Sequence, residues 1–142
     1  PVYDENYKFA LNKADVITKG NDITIVASGI MVAESLKAVL KLKEEGISAE
    51  LISANTIKPL DEETILNSIK KTNHVVTCEN HNVIGGLYSA VSEMLIEKYP
   101  LHVDKIAVMD QFGQVGKYSE LLNYYHLTSN DIYNVVKKNL NK

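Results

Sequence analysis

Short apolar runs rich in β-branched residues recur along this chain, and longer stretches with helical spacing lie between them. That alternation is the signature of an α/β fold built on a mostly parallel sheet. The runs predict strands over residues 14–18, 23–27, 49–53, 75–78 and 105–109. The 23–27 run, Ile-Thr-Ile-Val-Ala, is nearly all apolar, as a strand covered on both faces must be. The first two strands are separated by only a few residues around Gly20-Asn21-Asp22. A link that short permits an antiparallel pair and cannot hold a parallel crossover.

Helices fill the intervals. Residues 31–45 carry Val32, Leu36, Val39, Leu40 and Leu42 toward the core, and Gly46 stands just past the end, where a helix stop belongs. Lys58-Pro59 is expected to hold the backbone extended, and Asp61 to cap a second helix running to about residue 71. Gly85-Gly86 opens a third, with Leu87, Val91, Met94 and Leu95 on one face and its end before Pro100. Residues 119–125 and 128–140 close the chain, the latter with Thr128 and Asp131 in a capping-box arrangement.

A chain of 142 residues, 45% of them apolar, can bury a full core without disulfides or metals. It reads as one domain over residues 13–142, with residues 1–12 as an arm or linker remnant; Pro1 in place of Met suggests a piece of something longer. The single cysteine, Cys78, fits a reducing, cytoplasmic setting. A net charge of −3 with scattered lysines argues against nucleic acid. The longest apolar run, residues 23–33, is too short to cross a bilayer. All 15 basic residues are lysines; without one arginine, the usual bidentate clamp for phosphate, the chain is poorly equipped to be a complete sugar-phosphate active site.

The densest polar cluster is Glu79-Asn80-His81-Asn82, followed by Val83-Ile84-Gly85-Gly86, at the carboxyl end of a central strand. Open α/β sheets place ligands or partner surfaces there. Glu79 and His81 are candidates for an acid and base pair or a polar contact across an interface. Equally, Glu79 and Asn80 can satisfy loop amides while the glycines let the helix approach the sheet. Asp110, in the turn leading to Phe112, can place a carboxylate at the same rim. Ala27-Ser28-Gly29-Ile30 has one glycine where a dinucleotide loop needs three, and Gly113-Gln114-Val115-Gly116-Lys117-Tyr118 lacks the spacing of a phosphate loop. Cys78 reads as a small buried hydrophobe. His74, His102 and His126 lack metal-ligand spacing. Tyr118, Tyr124 and Tyr125 with Leu121 and Leu122 form an amphipathic patch suited to core packing or subunit contact.

Together these segments resemble the C-terminal domain of transketolase. The resemblance runs from about Tyr7 to the end and is carried by Asp22-Ile23-Thr24-Ile25-Val26-Ala27-Ser28-Gly29, by Asn55-Thr56-Ile57-Lys58-Pro59-Leu60-Asp61, by the stretch from Val76 through Glu79-Asn80-His81-Asn82 to Gly85-Gly86-Leu87, and by Asp110-Gln111-Phe112-Gly113 leading to Leu121-Leu122 and His126-Leu127-Thr128. Deoxyxylulose phosphate synthases and the β subunits of 2-oxo acid dehydrogenases share the domain, and the same domain from either of them is the nearest alternative reading. The polar cluster is most similar to the transketolase version, in particular the split-gene kind. Tyr88 and Asn80 depart from the usual pattern, which calls for a small residue and often a second acid there.

The resemblance implies a three-layer α/β/α domain with a five-stranded mixed sheet and one antiparallel edge strand. It implies an enzyme that moves a two-carbon ketol unit between sugar phosphates using thiamine diphosphate and magnesium, both held by the N-terminal and middle domains, on the same or a separate chain. The C-terminal domain mainly supports homodimer assembly, so no catalytic, cofactor-binding or metal residue carries over, and neither cofactor nor metal is expected on this chain alone. Glu79, Asn80, His81, Gly85, Gly86 and Asp110 remain as candidate interface or polar-loop residues. An alternative from another class is a freestanding module that holds a small anion on the amides near Gly29 or Gly85-Gly86.

Overall fold

The structure is a computed structural model that describes residues 2–141; Pro1 of the expected arm, and Lys142, lie outside it. Five strands, β1 (Asp15–Thr18), β2 (Ile23–Ala27), β3 (Ala49–Ser53), β4 (Val75–Asn82) and β5 (Asp104–Val108), form one sheet in the order β1-β3-β2-β4-β5. β1 runs antiparallel to β3, and every other pair is parallel. The helices are α1 (Met31–Glu44), α2 (Glu62–Thr72), α3 (Leu87–Lys98), α4 (Tyr118–Tyr124) and α5 (Ser129–Leu140).

β2 is buried along its whole length, and its alternating side chains feed two cores. Ile23, Ile25 and Ala27 join Met31 and Leu42 of α1, Leu122 of α4 and Ile132 of α5 on one face. Val26 joins Ile52, Ile65 and Ile69 of α2, and Leu87 and Val91 of α3, on the other. The result is a three-layer α/β/α sandwich. Thr24 also points to the second face, where its hydroxyl meets those of Ser68 and Thr72 at 2.7 and 2.8 Å, so a polar side chain sits there without an unmet hydrogen bond.

Local signals end and begin the helices where their chemistry predicts. After α1 the Gly46 N–H donates to the Lys43 carbonyl and the Ile47 N–H to that of Leu42, the paired bonds of a Schellman stop. Asp61 caps α2 through the Thr64 amide. Thr128 and Asp131 exchange the reciprocal bonds of a capping box on α5. The Glu34 carboxylate of α1 accepts the Ser129 amide as well, at 3.0 Å, tying the two helices together at that end.

Four expectations need correction. The antiparallel strand does not pair with its sequence neighbour: β3 lies between β1 and β2. The link after β1 steps across the start of β3, with the Asn21 and Asp22 amides both donating to the Ser48 carbonyl. It passes so close that a Cβ on Gly20 would stand 2.2 Å from the Ala49 carbonyl carbon. Leu40 is 56% exposed, because it lies one position round from the stripe that Val32, Val39 and Leu42 bury. The segment 57–60 is a turn with a cis Lys58–Pro59 peptide, not extended chain. β4 continues four residues past Cys78, so the polar cluster lies on the strand itself.

Candidate functional site

β2, β4 and β5 all end at one rim of the sheet, and antiparallel β1 begins there, since Asp15 pairs with Ser53 at the end of β3. At this rim the order of strands reverses direction around β2, the position where open α/β sheets leave a crevice.

Glu79, only 1% exposed, turns its carboxylate into the N-terminus of α3. One oxygen accepts the Leu87 amide at 2.8 Å and the other the Tyr88 amide at 2.7 Å. These are charge-assisted bonds aligned with the positive end of the helix. Gly86 makes room for them: a Cβ at that position would lie 1.9 Å from a Glu79 oxygen. Gly85, with φ of 80°, turns the chain into the helix and donates its amide to the Ser89 hydroxyl at 2.8 Å.

His81 is exposed, and its Nδ1 donates to the carbonyl of its neighbour Asn82 at 3.1 Å. The structure therefore does not bring Glu79 and His81 together as an acid and base. Instead it joins Asn82 to Asp110: the Asn82 amide donates to the Asp110 carboxylate at 3.1 Å, and the Val83 N–H to the Val108 carbonyl at 2.9 Å. The loops after β4 and β5 are stitched into one ledge. Cys78, beneath it, is fully buried, and burial pushes its thiol up to about 12, so it carries no thiolate at neutral pH.

Asn80 points across the rim to Gly29, whose Cβ, were there one, would lie 3.5 Å from the Asn80 side-chain oxygen. It borders a hollow of about 300 Å³ lined also by Ile30, Val108, Tyr118, Leu121 and Tyr125. Sequence reasoning found one wall of this hollow, the amphipathic patch of Tyr118, Leu121, Leu122 and Tyr125, but not the hollow itself, because Ile30, Asn80 and Val108 come from separate elements that no spacing links to the patch. It also missed a second cluster at the rim. The Tyr3 and Tyr7 hydroxyls and the Asn55 amide all donate to one Asp15 oxygen, at 3.0, 2.6 and 2.6 Å, holding the leading segment against β1. Among the described residues no three His, Cys, Asp or Glu side chains are grouped to hold a metal. Among the same described residues, no helix is long and apolar enough to cross a membrane.

The model of the family described as "Transketolase, C-terminal domain" matches residues 12–132. The chain belongs to that family. Among transketolase relatives, the 6-deoxy-6-sulfo-D-fructose transketolase subunit of Clostridium sp. (strain MSTE9) is 47% identical over 128 residues, which are 90% of this chain and 40% of that protein. A 1-deoxy-D-xylulose-5-phosphate synthase of Heliobacterium modesticaldum is 35% identical over 129 residues, 90% of this chain and 20% of the synthase. Among solved structures, a split gene transketolase described as an inactive β4 tetramer superposes with a TM-score of 0.93 at 42% identity, covering 99% of this chain and 46% of that one. The transketolase-like chain thus spans less than half the length of each.

Proposed function

We propose that this chain is the C-terminal domain of a transketolase divided between subunits, and that its own task is assembly. In the whole enzyme a two-carbon ketol unit passes between sugar phosphates on thiamine diphosphate with magnesium, both held by the N-terminal and middle domains. The split-gene relative, named as a tetramer of one kind of subunit, supports self-association as part of that task. The higher identity to a transketolase subunit than to the synthase favours the ketol-transferring branch. A single buried thiol suits a cytoplasmic enzyme.

One observation carries the non-catalytic reading: the helix ends that could hold a diphosphate already hold the protein's own carboxylates. Asp61 occupies the start of α2, Glu79 that of α3, and Asp131 with Glu34 that of α5. At α1, the Met31 and Val32 amides are spent on the carbonyls of Ser28 and Gly29. A diphosphate at any of the first three would meet a like charge, so the residues present do not fit the cofactor. The same occupancy tells against the small-anion module.

Titration calorimetry of the chain with thiamine diphosphate and magnesium tests this. The expected result is no saturable heat, and a dissociation constant in the micromolar range would overturn the reading.

A further inference from the structure

Resting on the assembly reading above, we propose that two copies of this chain join rim to rim, each seating its Phe112 ring in the other's hollow. Phe112 is 94% exposed, on the loop 110–117 that follows β5. Its carbonyl accepts the Tyr125 hydroxyl at 3.0 Å, which fixes the backbone at the lip of the hollow while the ring points away from it. The hollow, about 300 Å³ and walled by Ile30, Val108, Tyr118 and Leu121, exceeds the roughly 150 Å³ that admits a benzene ring. A projecting aromatic beside an apolar hollow on the same face is self-complementary. A two-fold axis between copies uses both features twice, as an isologous contact requires.

Charge favours a second copy over a charged partner. Between Asp110 and Lys117 the loop reads Gln-Phe-Gly-Gln-Val-Gly, so it carries one acid, one base and no net charge. Two chains that each bear −3 repel elsewhere, and this patch lets them meet without like charges opposed. Val115 on the same loop, and Ile84 and Met109 on the segments that follow β4 and β5, are exposed apolar residues as well, and the ledge bond between Asn82 and Asp110 ties those segments together. Aromatic anchors in fully desolvated pockets dominate such contacts.

Sedimentation of the full chain, alone and as variants, tests the assignment. Wild type is expected to dimerise at tens of micromolar. Phe112→Ala should raise the dimer dissociation constant by at least about 30-fold, the size of an aromatic hot spot. Its thermal midpoint should not move at concentrations where both proteins are monomers. Ile30→Lys, which blocks the hollow, should do the same. An equimolar mixture of the two variants should regain part of the association, because it restores one intact ring facing one intact hollow. A wild-type dimer that Phe112→Ala leaves unchanged overturns this surface while leaving the assembly reading in place. A wild-type chain that stays monomeric at high micromolar concentration overturns both. A monomer that Phe112→Ala destabilises means the ring fills its own hollow, and also overturns the proposal.

Discussion

At Glu79 a single carboxylate does what a helix cap ordinarily does, but from β4, seven residues before Gly86, which stands at the cap position of α3. Its two oxygens, on a residue only 1% exposed, satisfy the Leu87 and Tyr88 amides. Leaving such donors unmet costs about 1–3 kcal/mol each. Gly86→Ala puts a methyl group where the carboxylate now sits, so the variant is expected to lose about 2–3 kcal/mol in urea unfolding. Glu79→Gln keeps the shape but turns one accepting oxygen into an NH2 donor, so one of the two amides loses its partner, and it is expected to cost about 1–3 kcal/mol. If Gly86→Ala unfolds at the wild-type midpoint, the close approach described here does not govern the stability of α3. Sequence alone offered both readings of this cluster with nothing to choose between them. The direction of the Glu79 side chain, into the amides of α3, depends on how α3 folds back over β4 and is not written in the local sequence.

At the level of elements, α2 depends on Asp61. Burial pushes its carboxyl up, but the Ala14 amide, the hydroxyl and amide of Thr64 and nearby Lys13 outweigh that, so it titrates below the ordinary value of 3.8. A carboxyl held low in the folded state contributes stability that is present above its unfolded value and lost as pH falls through the folded one. Acid unfolding followed by circular dichroism is therefore expected to steepen below about pH 4, and Asp61→Asn to flatten that limb. An unchanged acid limb in the variant would contradict the capping role. Where each helix starts and stops was legible because those signals are local: Asp61, Gly46, and Thr128 with Asp131 act within a turn of their own positions. The α/β class followed from the alternation of periods in the same way. The neighbour of β1 was not legible. Apolar spacing tells which face of a strand is covered, not which strand lies beside it, and the close crossing of Gly20 over Ala49 is a contact between residues far apart in sequence. Leu40 misled for a related reason, since an apolar residue next to the buried stripe looks inward until the helix is seated.

For the molecule as a whole, the leading segment is tied to the sheet through its tyrosines. Tyr3, Tyr7 and Asn55 converge on Asp15, and that hydrogen bond holds the Tyr7 hydroxyl up at about 12. Asp15→Ala removes the common acceptor, so trypsin is expected to cut at Lys8 and Lys13 severalfold faster than in wild type, with the rest of the chain still resistant. Equal cleavage rates would mean that the segment is held by something else. The position of β1 has one more consequence. It pairs with β3 alone, yet all of β2 and α1 must be made before β3 exists. During synthesis in the N-to-C direction, this strand therefore waits on the order of seconds for the strand it pairs with. Unpaired strand edges invite the wrong neighbour, and a four-residue strand that is never fully buried offers such a neighbour little to hold.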